Sequence, residues 1–334
     1  MAKMTIRDAL NTAMHELMAA HDNMVVLGED IVGGASADGT DEMGGPFGVT
    51  RGLAAKFGRE RVIDTPISEA AFLGMATGAA MTGLRPVVEI MFSDFLGVCF
   101  DQLMNQTAKL RFLSNGRVKL PLVIRTTMGA GDGSGATHSQ SLHGLAASIP
   151  GLIVAAPATA ADAAGLLKAA LASDAPVMLF EHKGLYGLES EVADGLPAAR
   201  LGEGRIARAG EHVTIVAASA MLHQALQAAD ALAADGINVE VIDPRTIQPL
   251  DAKLILSSVM KTAHLLVVDE GAAFGGFADA VLSLVAQEAF GALKAAPRAL
   301  TPLHTPVPYG RAAEAAWLPN ADNIVTAIEA MLAD

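Results

Sequence analysis

The chain has 334 residues, of which 51% are apolar, so two domains with substantial cores are expected. Lys and Arg total 23 against 36 Asp and Glu, a net charge of −13 with no basic run, which argues against nucleic-acid and anionic-membrane binding and leaves a basic protein segment compatible. A single cysteine, Cys99, excludes an internal disulfide, no Cys/His cluster has zinc spacing, and no stretch approaches the ~18 uninterrupted apolar residues of a membrane-spanning helix.

The N-terminal residues carry no signal-peptide apolar core, so a cytoplasmic location is expected. Residues 6–20 place Ile6, Leu10, Met14, Leu17 and Met18 on one helical face, and residues 24–27 read as a strand. Strand-like runs recur at 61–64, 86–91, 121–126, 152–155 and 177–180, with helix-like stretches at 69–82, 95–113, 141–148 and 159–172. Strands alternating with helices of this length imply right-handed crossovers, so the fold class is α/β, a doubly wound, mostly parallel sheet. Residues 183–204, rich in Gly, Glu and Pro, break the rhythm. We expect a first domain over 1–185, a linker over 186–204 and a smaller α/β domain over 205–334. In the latter, strands are expected near 213–217, 237–242 and 264–268, and helices near 220–234, 251–260, 276–290 and 321–332. There is no internal repeat.

Ligands of open α/β sheets bind beyond the carboxyl ends of the strands, which directs attention to three loops. Gly28-Glu29-Asp30 leads into a stretch with Gly33, Gly34, Gly39, Gly44, Gly45 and Gly48, whose acids and spacing disfavour a phosphate cradle and suit a mobile loop facing a partner or substrate. Asp64-Thr65-Pro66-Ile67-Ser68-Glu69 opens a helix that Ser68 is expected to cap. Glu69 reads either as a first-turn acid meeting the helix dipole or as a buried carboxylate that exchanges a proton with a ligand. Gly129-Ala130-Gly131-Asp132-Gly133-Ser134-Gly135-Ala136-Thr137-His138-Ser139 presents His138 either as a general acid/base or as a capping or surface residue.

Taken together, Ile6-Arg7-Asp8-Ala9, Gly28-Glu29-Asp30, Arg61 through Glu69, Gly83-Leu84-Arg85-Pro86, Asp101-Gln102, His138-Ser139, Pro150-Gly151-Leu152 and Glu240-Val241-Ile242-Asp243 run in one order over nearly the whole chain. This series resembles the beta subunits of the thiamine-diphosphate-dependent first component of 2-oxo acid dehydrogenase complexes. The resemblance implies a pyrimidine-binding fold followed by a transketolase C-terminal-like domain. Gly44 through Thr50, Met91 through Phe95, Pro121 through Thr126, Phe180 through Lys183 and His304 through Tyr309 are most similar to acetoin dehydrogenase beta subunits, with pyruvate dehydrogenase beta subunits next.

The resemblance implies an oxidoreductase that forms a carbanion on thiamine diphosphate, cleaves acetoin or decarboxylates a 2-oxo acid, and passes the acyl unit to a lipoyl acyltransferase core. Glu69 would bond the aminopyrimidine nitrogen, Glu29 would line the cofactor site, Phe95 would pack on the aminopyrimidine and His138 would assist proton transfer. Potassium would be held by the backbone carbonyls of Leu122, Ala170, Leu171, Ser173 and Ala175. Magnesium and the diphosphate would belong to an alpha subunit in an alpha2-beta2 heterotetramer, because Gly131-Asp132-Gly133 has no Asn near 158–162 to complete the family's diphosphate motif. Two rivals are a single-chain transketolase-like transferase and a non-catalytic scaffold. The first is disfavoured on the expectation that no diphosphate domain lies upstream, and the second does not explain keeping Glu69 and His138.

Overall fold

The computed structural model describes residues 2–32, 44–193, 195 and 198–333. Gly33, Gly34 and Gly39, expected in a mobile loop, lie outside the described residues. In chain order the elements are β1 (Ala2–Thr5), α1 (Ile6–Ala20), β2 (Met24–Gly28), α2 (Leu53–Phe57), β3 (Val62–Asp64), α3 (Glu69–Met81), β4 (Arg85–Phe92), α4 (Leu110–Leu113), β5 (Val123–Met128), α5 (His143–Ala147), β6 (Ile153–Ala155), α6 (Ala160–Ala172), β7 (Val177–His182) and β8 (Glu189–Val192). They continue as β9 (Arg205–Arg208), β10 (Val213–Ala217), α7 (Ala220–Ala234), β11 (Val239–Asp243), β12 (Thr246–Gln248), α8 (Ala252–Thr262), β13 (Leu265–Val268), α9 (Phe277–Glu288), β14 (Arg298–Leu300), α10 (Arg311–Trp317) and α11 (Ala321–Ala333).

The chain divides into two compact units, Met1–Met128 with Ser148–Leu201, and Gly129–Ala147 with Gly202–Asp334. In the first, parallel strands run in the order β6-β7-β5-β4-β2-β3. Every residue of β5 and β7 is buried, as expected where helices cover both faces of a parallel sheet. Helix α1 buries Leu10, Met14 and Met18 and packs on α6, and both helices begin at a threonine whose hydroxyl accepts an amide: Thr5 from Asp8 N–H and Thr159 from Asp162 N–H, each at 3.1 Å. Strands β1 and β8 pair antiparallel, and β8 falls inside the stretch expected to be a linker.

One expected helix is not a single α-helix. The segment 95–113 is a 3₁₀ turn (Ser93–Gly97), a π-helical stretch (Gln102–Thr107) and the short α4. The departure is tertiary in origin. The π stretch packs on α3, where Thr77 and Thr107 hydroxyls lie 2.7 Å apart and a Cβ on Gly74 would stand 3.0 Å from Gln102 Oε1.

The second unit centres on the sheet β14-β13-β10-β11-β9, parallel except for the antiparallel edge strand β9. Strands β10, β11 and β13 are buried throughout. Helix α7 buries Leu222, Ala225 and Leu232 and packs against α11. Among the described residues no helix is long and apolar enough to cross a membrane.

Candidate functional site

In the first unit, two carboxylates emerge beyond neighbouring parallel strands. Strand β2 ends at Gly28, opposite Glu89 of β4, and a Cβ on Gly28 would stand 2.8 Å from the Glu89 carbonyl oxygen, so glycine permits the close approach. Glu29 follows directly. Strand β3 ends at Asp64, whose Oδ1 accepts from Val32 N–H at 2.8 Å, while Thr65 N–H donates to Gly28 carbonyl at 3.0 Å. These bonds tie the two strand ends together and deliver Glu69 as the first residue of α3.

Glu29 is 8% and Glu69 5% exposed. Burial, then the charges of Glu69 and Asp30, push the Glu29 carboxyl up from 4.5 to about 7, against the Ser68 backbone amide that pulls it down. Glu29 Oε1 is buried without a hydrogen-bond partner, and so is Thr65 Oγ1. Ser68 was expected to cap α3, but its side chain makes no cap bond. Its φ and ψ of −164° and 75° leave the amide, rather than the hydroxyl, as the group that works here. Nearby, burial and then the Glu69 charge push the Cys99 thiol up to about 12, so Cys99 is a protonated core residue.

Phe95 sits on the 3₁₀ turn, half-buried, its ring edge-on to Phe92 with centroids 5.5 Å apart. Phe92 meets Phe47 edge-on at 5.7 Å, and Phe47 stacks on Tyr186 at 5.4 Å. Thus Glu29 and Glu69 come together, and Glu69 acts on Cys99, four residues beyond Phe95 and bonded through Sγ to the Phe95 carbonyl at 3.8 Å. Leu122, Ala170, Leu171, Ser173 and Ala175 gather around the turn from α6 to β7. There Leu171 carbonyl accepts from Arg85 Nη1, Ala170 carbonyl from Ser173 N–H at 3.1 Å and Leu122 carbonyl from Val177 N–H at 2.9 Å.

A buried cluster escaped the sequence reading. Arg125 donates Nε and Nη2 to Glu181 at 2.7 Å each, and Nη1 to Glu89 Oε2 at 2.5 Å, while Tyr186 hydroxyl donates to Glu181 Oε2 at 2.6 Å. Burial raises the Glu89 carboxyl against the opposing pull of Arg125, and the two carboxylates outweigh burial to hold Arg125 charged. The signal was present: charged residues inside apolar strand runs imply partners, though not which ones.

His138 belongs to the second unit. It is half-buried, with Nδ1 3.1 Å from Thr137 Oγ1 and its amide on the Gly135 carbonyl at 3.3 Å. Five residues on, buried His143 places Nε2 2.9 Å from Asp269 Oδ1, and burial alone would lower its pKa, but Asp269 and Glu270 raise it. Gln140, Ser141, Glu270, His304 and Trp317 help line a cavity of about 340 Å³ in the same unit. Ser141 Oγ is buried there without a hydrogen-bond partner. Among the described residues no group of His, Cys, Asp and Glu is arranged to hold a metal ion.

Residues 2–189 match the transketolase pyrimidine-binding domain and residues 202–324 the transketolase C-terminal domain. The chain is 48% identical, over 97% of its length and 96% of the relative's, to the acetoin:2,6-dichlorophenolindophenol oxidoreductase subunit beta of Cupriavidus necator. It is 44% identical to the protein of that description in Bacillus subtilis, over 96% and 95% of the two chains. It is 40% identical to the pyruvate dehydrogenase E1 component subunit beta of Rickettsia conorii, over 98% of each. Among solved structures it is similar to a split-gene transketolase described as an inactive beta4 tetramer, with TM-score 0.79, 25% identity and 99% coverage of both chains.

Proposed function

Because this chain belongs to the family of acetoin and pyruvate dehydrogenase beta subunits, with transketolase pyrimidine-binding and C-terminal domains, we propose that it is the beta subunit of a thiamine-diphosphate-dependent acetoin dehydrogenase. The observation that carries this reading is the Glu29–Glu69 pair, two buried carboxylates with an unpartnered oxygen beyond adjacent parallel strands. An aminopyrimidine has both a weakly basic ring nitrogen and an amino donor, which fits this pair better than an anion would. Bound there, thiamine diphosphate supplies the electron sink for breaking a carbon–carbon bond beside a carbonyl.

Glu69 would hydrogen-bond the aminopyrimidine ring nitrogen, while Glu29, raised to about 7, would exchange protons with the amino group or with solvent. Phe95 would pack on the aminopyrimidine. His138 transfers a proton at the reacting oxygen. Magnesium and the diphosphate are held by an alpha subunit in an alpha2-beta2 assembly, a division supported by the glycine loop at 131–135, whose amides are already taken by a carboxylate of this chain. The acyl unit passes to a lipoyl acyltransferase core, and the carbonyls near Leu171 bind potassium. The 40% identity to a pyruvate dehydrogenase beta subunit supports pyruvate as the alternative substrate.

The test is steady-state dye reduction by the reconstituted alpha/beta pair on acetoin, pyruvate and branched-chain 2-oxo acids, with calorimetry of thiamine diphosphate on wild type and Glu69→Gln. Acetoin is expected to give the largest kcat/KM, and Glu69→Gln to bind the cofactor without turning over. Full turnover by Glu69→Gln, or tight cofactor binding by the beta chain alone, overturns the reading.

A further inference from the structure

The loop that carries His138 is held by carboxylates of its own unit. Gly131, Gly133 and Gly135 have φ of 116°, 89° and 71°, so alternate residues turn their amides to one side. All three amides converge on one side chain. Gly131 and Gly133 N–H donate to Glu314 Oε2 at 2.8 and 2.7 Å, and Gly135 N–H to Oε1 at 3.2 Å. Glu314, the fourth residue of α10, is 0% exposed. Its helix also contributes Arg311, whose Nε donates to the Asp132 carbonyl at 3.2 Å, and a Cβ on Gly135 would stand 2.8 Å from Tyr309 Cδ2.

Both sides of this nest are pinned as well. Ala130 N–H donates to Glu270 Oε1 at 2.6 Å, and His143 closes the segment on Asp269. Between the pins, the Gly135 carbonyl accepts from His138 N–H, so the last amide of the nest and the imidazole-bearing residue share one turn. A glycine-rich loop has large conformational entropy to lose, and hydrogen bonds to a charged acceptor are among the stronger means of offsetting that loss. The arrangement is a preformed anion site occupied by the protein itself.

We propose that Glu314 is a positioning residue for His138: by filling the amide nest of Gly131, Gly133 and Gly135 it holds the loop in the geometry that presents the imidazole to the reacting oxygen. The proposal rests on the reading of His138 as a proton-transfer residue. It also explains why a Gly-Asp-Gly sequence in this chain is not a phosphate cradle. The donors such a cradle needs are committed to a side chain about 180 residues further along.

The test uses the reconstituted alpha/beta enzyme with Glu314→Ala, Glu314→Gln, His138→Ala and the double variant Glu314→Ala/His138→Ala. Glu314→Ala is expected to lower kcat about a hundredfold, the scale of a small misplacement of a reacting group, with KM and thiamine diphosphate affinity within about twofold of wild type. The double variant should be no slower than His138→Ala, since both remove one function, and Glu314→Ala should lose the limb of the pH profile that His138→Ala also lacks. Glu314→Gln, which keeps one acceptor oxygen, should fall between wild type and Ala. It serves as the deciding variant should Glu314→Ala fail to assemble. Wild-type kcat in Glu314→Gln and Glu314→Ala, or an additive loss in the double variant, overturns the positioning role. Full activity of His138→Ala overturns the prior reading of the histidine instead.

Discussion

Two groups of buried acids in the first unit behave in opposite ways. Around Arg125, Glu89 and Glu181 share one guanidinium, with Tyr186 adding a further donor. Around α3, among the described residues, Glu29 is pushed up by burial and by the charges of Glu69 and Asp30, with no cation offsetting them, and its Oε1 has no partner. The first arrangement is complete within the chain and is therefore structural. The second retains unsatisfied hydrogen-bonding capacity in a buried place, a condition a folded protein keeps where a ligand is to supply the missing partner.

That contrast is broken most severely through chemistry. Glu69→Ala is expected to lower turnover roughly a thousandfold, the middle of the range for a lost proton-transfer group, while folding stability and assembly stay at wild-type level. Dye-reduction rates beside urea unfolding and size-exclusion profiles check both halves. Arg125→Met should do the reverse in kind. It strands two buried carboxylates and should cost about 3–5 kcal/mol of stability, seen as a lower urea midpoint. An unchanged midpoint would mean that the guanidinium cluster is not the structural member of the contrast.

A subtler comparison is the pH response. The folded-state pKa of Glu29 is raised, so the protonated form is the one folding favours. Its contribution is favourable below its ordinary value of 4.5 and is lost as pH rises through about 7. Glu29→Gln should flatten the fall in stability of the cofactor-free chain over that window. It should also remove an ionisation near pH 7 from the rate profile, and a profile identical to wild type would separate Glu29 from the chemistry. His143 shows the same sign from a different cause, since Asp269 and Glu270 face it across a buried contact. Stability from this pair is complete below the ordinary histidine value of 6.5 and declines as pH passes the raised folded value, a decline His143→Asn should abolish in pH-dependent thermal melts.

The smallest expected effect concerns the turn from α6 to β7. Potassium at ten times its dissociation constant should stabilise the chain by about 1.4 kcal/mol over sodium or choline, read as a higher Tm. Equal melts in the three salts would show that the donors already on Leu171, Ala170 and Leu122 suffice.

Much of the framework was legible along the chain. The apolar runs at 86–91, 121–126 and 177–180 mark strands because parallel strands buried on both faces tolerate little else. Glu69 stood out by following a strand and opening a helix. The expected helix over 95–113 failed for a nonlocal reason: Thr107 and Gln102 answer to Thr77 and Gly74 of another helix. Likewise, nothing near His138 announces that its loop joins the C-terminal unit.

The sequence by itself determined the alternation of strands and helices, the family and the candidacy of Glu29, Glu69 and His138, because periodicity and motif order are carried by neighbouring residues. Only the tertiary structure decided which acids are neutralised, which keep a buried oxygen without a partner, and that Glu314 occupies the glycine nest. The physical reason is distance along the chain. Charge balance and hydrogen-bond satisfaction are settled between residues tens to nearly two hundred positions apart, and no local pattern records that pairing.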